Sequence, residues 1–247
     1  MNVEMTGLTR RFGRVTAVAG VDLRTDAGVF GLLGPNGAGK TSLLRMLATA
    51  VRPSAGELRL LGRDPASGHQ LREIRRRLGY LPQHPGWYPG FTVREFVEYF
   101  ALLKQLPPPA IPAAVAVAIE RVELGASATA RLRTLSGGML RRACIAQAIV
   151  NEPELLLLDE PTAGLDPEQR VAFRALLRDL GRTATVVVST HLVEDVGAAC
   201  ARVALMDQGR LVFHGTPAEL AARGQGQGTG DAPLERGYSA VLRQARS

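Results

Sequence analysis

Cysteine, lysine and aromatic residues are scarce in this 247-residue chain, and each shortage excludes something. Its two cysteines, Cys144 and Cys200, lie far apart in apolar, helical-looking stretches. A disulfide framework and a four-cysteine zinc site are therefore excluded, and a reduced cytoplasmic setting is expected. Long apolar runs are missing too: no stretch, the four leucines at 155–158 included, approaches the roughly eighteen residues a membrane-spanning helix needs. Met1-Asn2-Val3-Glu4 is not a basic segment leading into an apolar one, so no signal peptide is expected. Aromatics make up 5% and are not interleaved with the cationic clusters. That argues against a base-stacking platform, and hence against nucleic acid as a partner, despite a net charge of +7. Lys40 and Lys104 are the only lysines among thirty cations. The arginine clusters around Arg10-Arg11, Arg72 to Arg77, Arg131 to Arg142 and Arg236 to Arg246 are scattered along the chain. They read as solvated faces, with contact to an anionic membrane surface or a partner as the second reading.

What is present is ordinary globular material. Hydrophobic residues at 46% and charged residues at 21% predict a sizeable core in one domain, or in one domain carrying an inserted subdomain. A short buried strand at 28–33 stops at Gly34-Pro35-Asn36-Gly37, and Leu43, Leu44, Met46, Leu47 and Val51 then follow a helical period. Strands are expected again at 57–61, 78–81, 155–158, 186–189, 203–206 and 211–213. Several are continuous apolar runs separated by helices, which predicts an α/β fold with a mostly parallel sheet covered on both faces. From about 84 to 150 the pattern is helical only. An amphipathic segment at 93–106 is broken by Pro107-Pro108-Pro109 with Pro112 and resumes at 113–124, as a helical insert would. Asp207-Gln208-Gly209-Arg210 reads as a hairpin turn. The glycine-rich run at 224–230 reads as a flexible linker to a short C-terminal helix, dividing the chain into 1–220 and 221–247.

Three strings carry chemistry. Gly34-Pro35-Asn36-Gly37-Ala38-Gly39-Lys40-Thr41 satisfies G-x-x-x-x-G-K-[ST], with a strand before it and a helix after. Glycines let backbone N–H groups curl around phosphate oxygens, and the helix start adds positive potential. Lys40 would neutralise the β/γ-phosphates and Thr41 would offer its hydroxyl to Mg²⁺. Asp159 and Glu160 end a buried strand, where open α/β sheets bind ligands. Asp159 suits Mg²⁺ held through its water shell, and Glu160 suits polarisation of an attacking water. Leu135-Ser136-Gly137-Gly138-Met139 opens a helix with Met139, Ala143, Ala146 and Val150 on one face. Ser136 is either a plain N-cap or part of a second anion site.

Together with a later strand leading to His191, these strings resemble an ABC transporter ATP-binding subunit. The resemblance runs from about Thr6 to Glu219, with Lys40 and Ser136 separated by 96 residues and Ser136 and Asp159 by 23. It implies a P-loop NTPase core, an N-terminal antiparallel β-subdomain and an α-helical insert at about 84–150. ATP and Mg²⁺ are the implied cofactors, with the nucleotide on the loop from Gly34 through Ser42. By the same resemblance Phe12 matches the aromatic position that stacks on adenine. Gln83 matches the glutamine that senses Mg²⁺ and γ-phosphate, and His191 the switch histidine. The stretch Ala163-Gly164-Leu165-Asp166 matches the loop that crosses between subunits, and Ser136, Gly137 and Gly138 match the groups that bind phosphate across a dimer. Met139 departs from the usual glutamine, a variant familiar in the export-type, multidrug/antibiotic exporter-like branch. The aromatic stretch 84–96, with Trp87, Tyr88 and Phe91, resembles that branch as well; internal packing is its other reading.

The implied function is an ATP-hydrolysing subunit that powers a transmembrane permease on a separate chain, for export, from the cytoplasmic face of the cell membrane. Its partners would be that permease and a second cassette, not nucleic acid. The alternative is a soluble ABC ATPase acting on ribosomes or DNA, against which stand the single phosphate loop and the lack of sustained heptads. A P-loop kinase would leave Leu135 to Met139 and His191 unexplained. His69, His84 and His214 fit no constellation and read as surface.

Overall fold

The computed structural model describes residues 1–225 and 229–246. In chain order the elements are β1 (Val3–Phe12), β2 (Val15–Thr25), β3 (Gly28–Leu33), α1 (Lys40–Leu47), β4 (Ala55–Leu60), α2 (Gly68–Arg76) and β5 (Leu78–Leu81). Three longer helices follow, α3 (Val93–Leu103), α4 (Ile111–Arg121) and α5 (Gly137–Ile149), with short 3₁₀ turns between them. Then come β6 (Leu155–Asp159), α6 (Pro167–Leu180), β7 (Thr185–Thr190), α7 (Val193–Ala199), β8 (Arg202–Asp207), β9 (Arg210–Gly215), α8 (Pro217–Ala222) and α9 (Pro233–Arg246).

A six-stranded sheet runs β5-β6-β7-β3-β8-β9, parallel except for β9, and a separate antiparallel sheet runs β2-β1-β4. Strand alternation splits the core into two layers, because successive side chains leave a strand on opposite faces. Phe30, Leu32, Leu155, Leu157, Val187, Ala204 and Met206 pack with α1 and the small sheet. Val29, Leu33, Leu156, Leu158, Val186, Val188, Val203 and Leu205 pack with the helices on the other side. Both faces are covered, so the strands read as unbroken apolar runs. The carboxyl ends of β3, β6 and β7 consequently lie side by side, which brings Gly34, Asp159 and Thr190 together from distant parts of the chain.

Some sequence expectations shift. The strand expected at 57–61 is β4, in the antiparallel sheet, and it stops at Leu60 because Leu61 turns to a positive φ of 53°. Proline breaks the helical insert at 107–109, but Pro112 lies within the first turn of α4, where a missing N–H leaves no helical bond unmade. The hairpin at 207–210 is present, with Gln208 and Gly209 at φ 47° and 79°, values a two-residue primed turn requires. Beyond Met139 the helix α5 is buried nearly all round, with no single apolar face. The expected glycine linker falls partly on residues 226–228, outside the described residues. The helix after it packs on α7 and α8, and Arg246 pairs with Asp207 through two contacts of 2.8 Å.

Periodicity does not reveal α2, because Ile74 is its one buried residue. That side chain is fully enclosed, so Ile74→Val should cost about 0.5–1.5 kcal/mol in a chemical denaturation series, the usual loss for one buried methyl group.

Candidate functional site

The phosphate loop is shaped by glycines that admit no side chain. A Cβ on Gly34 would lie 2.4 Å from the Met206 carbonyl oxygen; on Gly39, where φ is 101°, it would lie 2.2 Å from that of Ala17. The loop is thus pressed between β8 and β2, and it turns directly into α1 at Lys40. Lys40 is only 6% exposed. Its Nζ donates to the carbonyl oxygens of Gly34 (2.6 Å) and Pro35 (3.3 Å) and lies 3.7 Å from Glu160 Oε1. Burial lowers its pKa, while Glu160 and Asp159 pull in the opposite direction. In front of the loop is a cavity of about 280 Å³. Its walls are Pro35, Asn36, Gly37, Ala38, Gly39, Lys40, Thr41 and Ser42, completed by Ala17, Gln83 and Glu160.

The two acids have different surroundings. Asp159 is fully buried; one carboxylate oxygen accepts from Ser189 Oγ at 2.5 Å, and the other, Oδ2, is buried with no hydrogen-bond partner. An enclosed carboxylate oxygen without a donor is costly, and a hard cation is the chemistry that relieves it. Thr41 and Gln83 offer further oxygens at the cavity wall. Among the described residues no three His, Cys, Asp or Glu side chains gather as a metal cluster.

Glu160 adopts a left-handed φ of 48°, a conformation that costs a non-glycine residue on the order of 1 kcal/mol and clusters at functional sites. Its backbone N–H is shared between the Ser189 carbonyl and Ser189 Oγ, each at 3.1 Å. Its carboxylate is flanked by Lys40 on one oxygen and by His191 Nδ1 at 2.9 Å on the other. His191 is half exposed, at the mouth of the site. Lys40, Gln83 and Glu160 thus line one cavity, and His191 joins them through its contact with Glu160.

Other expected site residues lie elsewhere in this single chain. Ser136 caps α5, accepting from the Met139 N–H at 3.3 Å, so the plain-cap reading holds locally. Neither it, Gly137 nor Gly138 lines the cavity. Asp166 caps α6, its carboxylate accepting from Gln169 N–H at 2.8 Å. Phe12 is 45% exposed outside the cavity wall, and the Arg10 guanidinium covers one ring face at 4.5 Å. Trp87 and Tyr88 are also exposed. Tyr88 stacks on Phe91 at 4.9 Å, with Tyr99 edge-on to both, so these rings form a surface cluster. His69, His84 and His214 are exposed, as expected.

Sequence reasoning missed three groups. Ser189 fastens Asp159 and Glu160 together; a hydroxyl at the end of an otherwise apolar strand was its only signal. Asp195 is buried on α7, where it accepts from Thr162 Oγ1 (2.9 Å) and Arg174 Nε (3.0 Å), linking the loop after Glu160 to the helix after His191. Arg141 belongs to a cluster read as a solvated face, yet it is 8% exposed. That reading is corrected here: its guanidinium lies beneath the ends of β6 and the glutamine loop.

Comparison with known proteins places the chain in a family. The family described as "ABC transporter" matches residues 19–163. The Nod factor export ATP-binding protein I of Ralstonia nicotianae is 40% identical over 220 residues, covering 88% of this chain and 68% of its own. Its counterpart from Paraburkholderia xenovorans is 39% identical, covering 89% and 72%. Among solved structures, an ATP-binding subunit of an ABC transporter superposes with a TM-score of 0.86 at 22% identity, over 98% of this chain and 100% of the other. CbiO1 of Clostridium perfringens, part of the ABC transporter complex cbiONQ, gives 0.80 at 28% identity, over 89% and 90%. The predicted α/β architecture, with its antiparallel N-terminal sheet and helical insert, is the one these structures share. This chain belongs to the ABC transporter family, as one of its ATP-hydrolysing cassettes.

Proposed function

We propose that this cassette energises export through a transmembrane permease on a separate chain, docked at the cytoplasmic face of the membrane. The observation that carries the reading is the meeting of Lys40 and Glu160 at one cavity, with His191 on the Glu160 carboxylate and the unpartnered Asp159 oxygen beside them. Among the described residues no helix is long and apolar enough to cross a membrane, so the span would be supplied by the partner. Nod factor export relatives near 40% identity and the methionine at 139 both support export as the direction. The cassette itself is assigned to residues 1–220, with 221–247 as an appended tail.

Each group has a role in ATP hydrolysis. Residues 35–42 cradle the phosphates with backbone N–H groups, and Lys40 exchanges its carbonyl acceptors for phosphate oxygens. Thr41, Gln83 and Asp159 would hold Mg²⁺, which neutralises charge on the phosphate oxygens when bound. Glu160 accepts a proton from the attacking water, and His191 holds its carboxylate in place. Phe12, with one face free of Arg10, stacks on the base. Ser136, Gly137 and Gly138 serve the nucleotide of a second cassette, and Asp166 lies in the loop facing it.

The test is purification of the tagged full chain from detergent-solubilised membranes. A stoichiometric hydrophobic polypeptide should accompany it. Recovery in the ribosome or nucleoid fraction, with no membrane partner, would overturn the reading in favour of the soluble non-transport class.

A further inference from the structure

Arg141 lies on α5, five residues beyond Ser136, and its buried guanidinium makes four hydrogen bonds, all to carbonyl oxygens. Nε donates to Pro161 (3.1 Å), Nη1 to Gln83 (3.2 Å), and Nη2 to both Asp159 (2.9 Å) and Glu160 (2.5 Å). One planar group therefore holds three consecutive residues at the end of β6 together with the glutamine loop. A buried cation is costly to desolvate, and a rigid five-donor fork is suited to fixing several acceptors at once.

Glu160 is thereby held from two sides. Its N–H is bound to Ser189 on β7, its C=O to Arg141 on α5, and its φ of 48° is one the chain would otherwise avoid. The neighbouring Arg142 donates to the carbonyls of Val122 (3.3 Å) and Glu123 (3.2 Å), attaching the same helix to the end of α4. A tilt of α5 relative to β6 would therefore strain the Arg141 contacts.

We propose that Arg141 is a positioning residue for hydrolysis: it makes the orientation of α5, the helix begun by Ser136, set the aim of the Glu160 carboxylate and the Gln83 loop. This inference rests on Glu160 being the general base. Arg141 touches neither nucleotide nor water in this scheme; it acts through the backbone of residues that do.

The experiment compares wild type, Arg141→Gln, Glu160→Gln and the double variant, using the purified full chain. Arg141→Gln should bind Mg-ATP within about threefold of wild type while kcat falls roughly 10- to 100-fold, the range a displaced catalytic group costs, with KM little changed. Arg141→Lys, which keeps the charge and loses the fork, should recover part of that loss; it also supplies the comparison if Arg141→Gln does not fold. In single-turnover assays, adding Arg141→Gln to Glu160→Gln should slow residual hydrolysis by less than about twofold, since the positioned group is already gone. The proposal is overturned if Arg141→Gln keeps kcat within about twofold, or if its loss multiplies with that of Glu160→Gln as an independent structural defect would. Glu160→Gln alone reports on the base assignment, so the two failures are seen separately.

Discussion

Glu160→Gln should leave Mg-ATP bound and slow its hydrolysis by about 10²–10⁴-fold, the usual contribution of a positioned general base. The substitution is close to isosteric, and the parts of the site that place residue 160 do not depend on its charge. Ser189 holds its N–H and Arg141 its C=O whether the side chain is acid or amide. The lost groups are the proton acceptor and the partner of Lys40 at 3.7 Å. Without that partner Lys40 has one fewer competitor for phosphate oxygens, so nucleotide affinity should hold or rise while turnover falls. That split separates a base from a binding residue, for which affinity and turnover would decline together. Steady-state ATPase assays alongside a fluorescent-nucleotide titration decide it. Turnover within about threefold of wild type would remove Glu160 from the role.

How much of this was legible in sequence depends on how local each signal is. The phosphate loop is written in consecutive residues, because a backbone that must wrap phosphate between β8 and β2 needs glycines at fixed intervals. The strand β6 is equally plain: both its faces are covered, so four leucines run together before Asp159 and Glu160. Of the small sheet only β4 was legible in the pattern; β1 and β2 were reached through family resemblance. These two strands are broken by register shifts and expose many side chains, which blurs the alternation that marks a strand. Least legible were the groups that act across the fold. Ser189 stands 30 residues from Asp159 in sequence and Arg141 stands 18, yet each touches it directly. Nothing in an arginine-rich composition distinguishes the one guanidinium turned inward beneath the catalytic strand from the many that face water. Phe12 shows the same limit: its residue type was readable, but the Arg10 guanidinium over one ring face was not.

A substitution at Gly137 should abolish ATP-driven dimerisation. The cavity formed by one chain contains the phosphate loop, Gln83 and Glu160 but no part of the Ser136 helix start. The composite site proposed above, completed by the Ser136 start of another copy, would give that separate start its role. At Gly138 a Cβ would lie 2.5 Å from the Gln169 side-chain oxygen, so an aspartate there would disturb packing within its own chain. Gly137 has open space at its Cβ position. On that proposal Gly137→Asp, which has room within its own chain, would place a carboxylate where the helix N-terminus is to offer positive potential to a second cassette's nucleotide. It should bind Mg-ATP as a monomer, fail to dimerise, and show background ATPase. Mixed with Lys40→Ala, it should regain activity, because its intact phosphate loop can pair with the intact Ser136 start of the other variant. Those mixed dimers hold one working site each. No recovery where mixed dimers demonstrably form would count against the composite site, and full activity of Gly137→Asp alone would refute it.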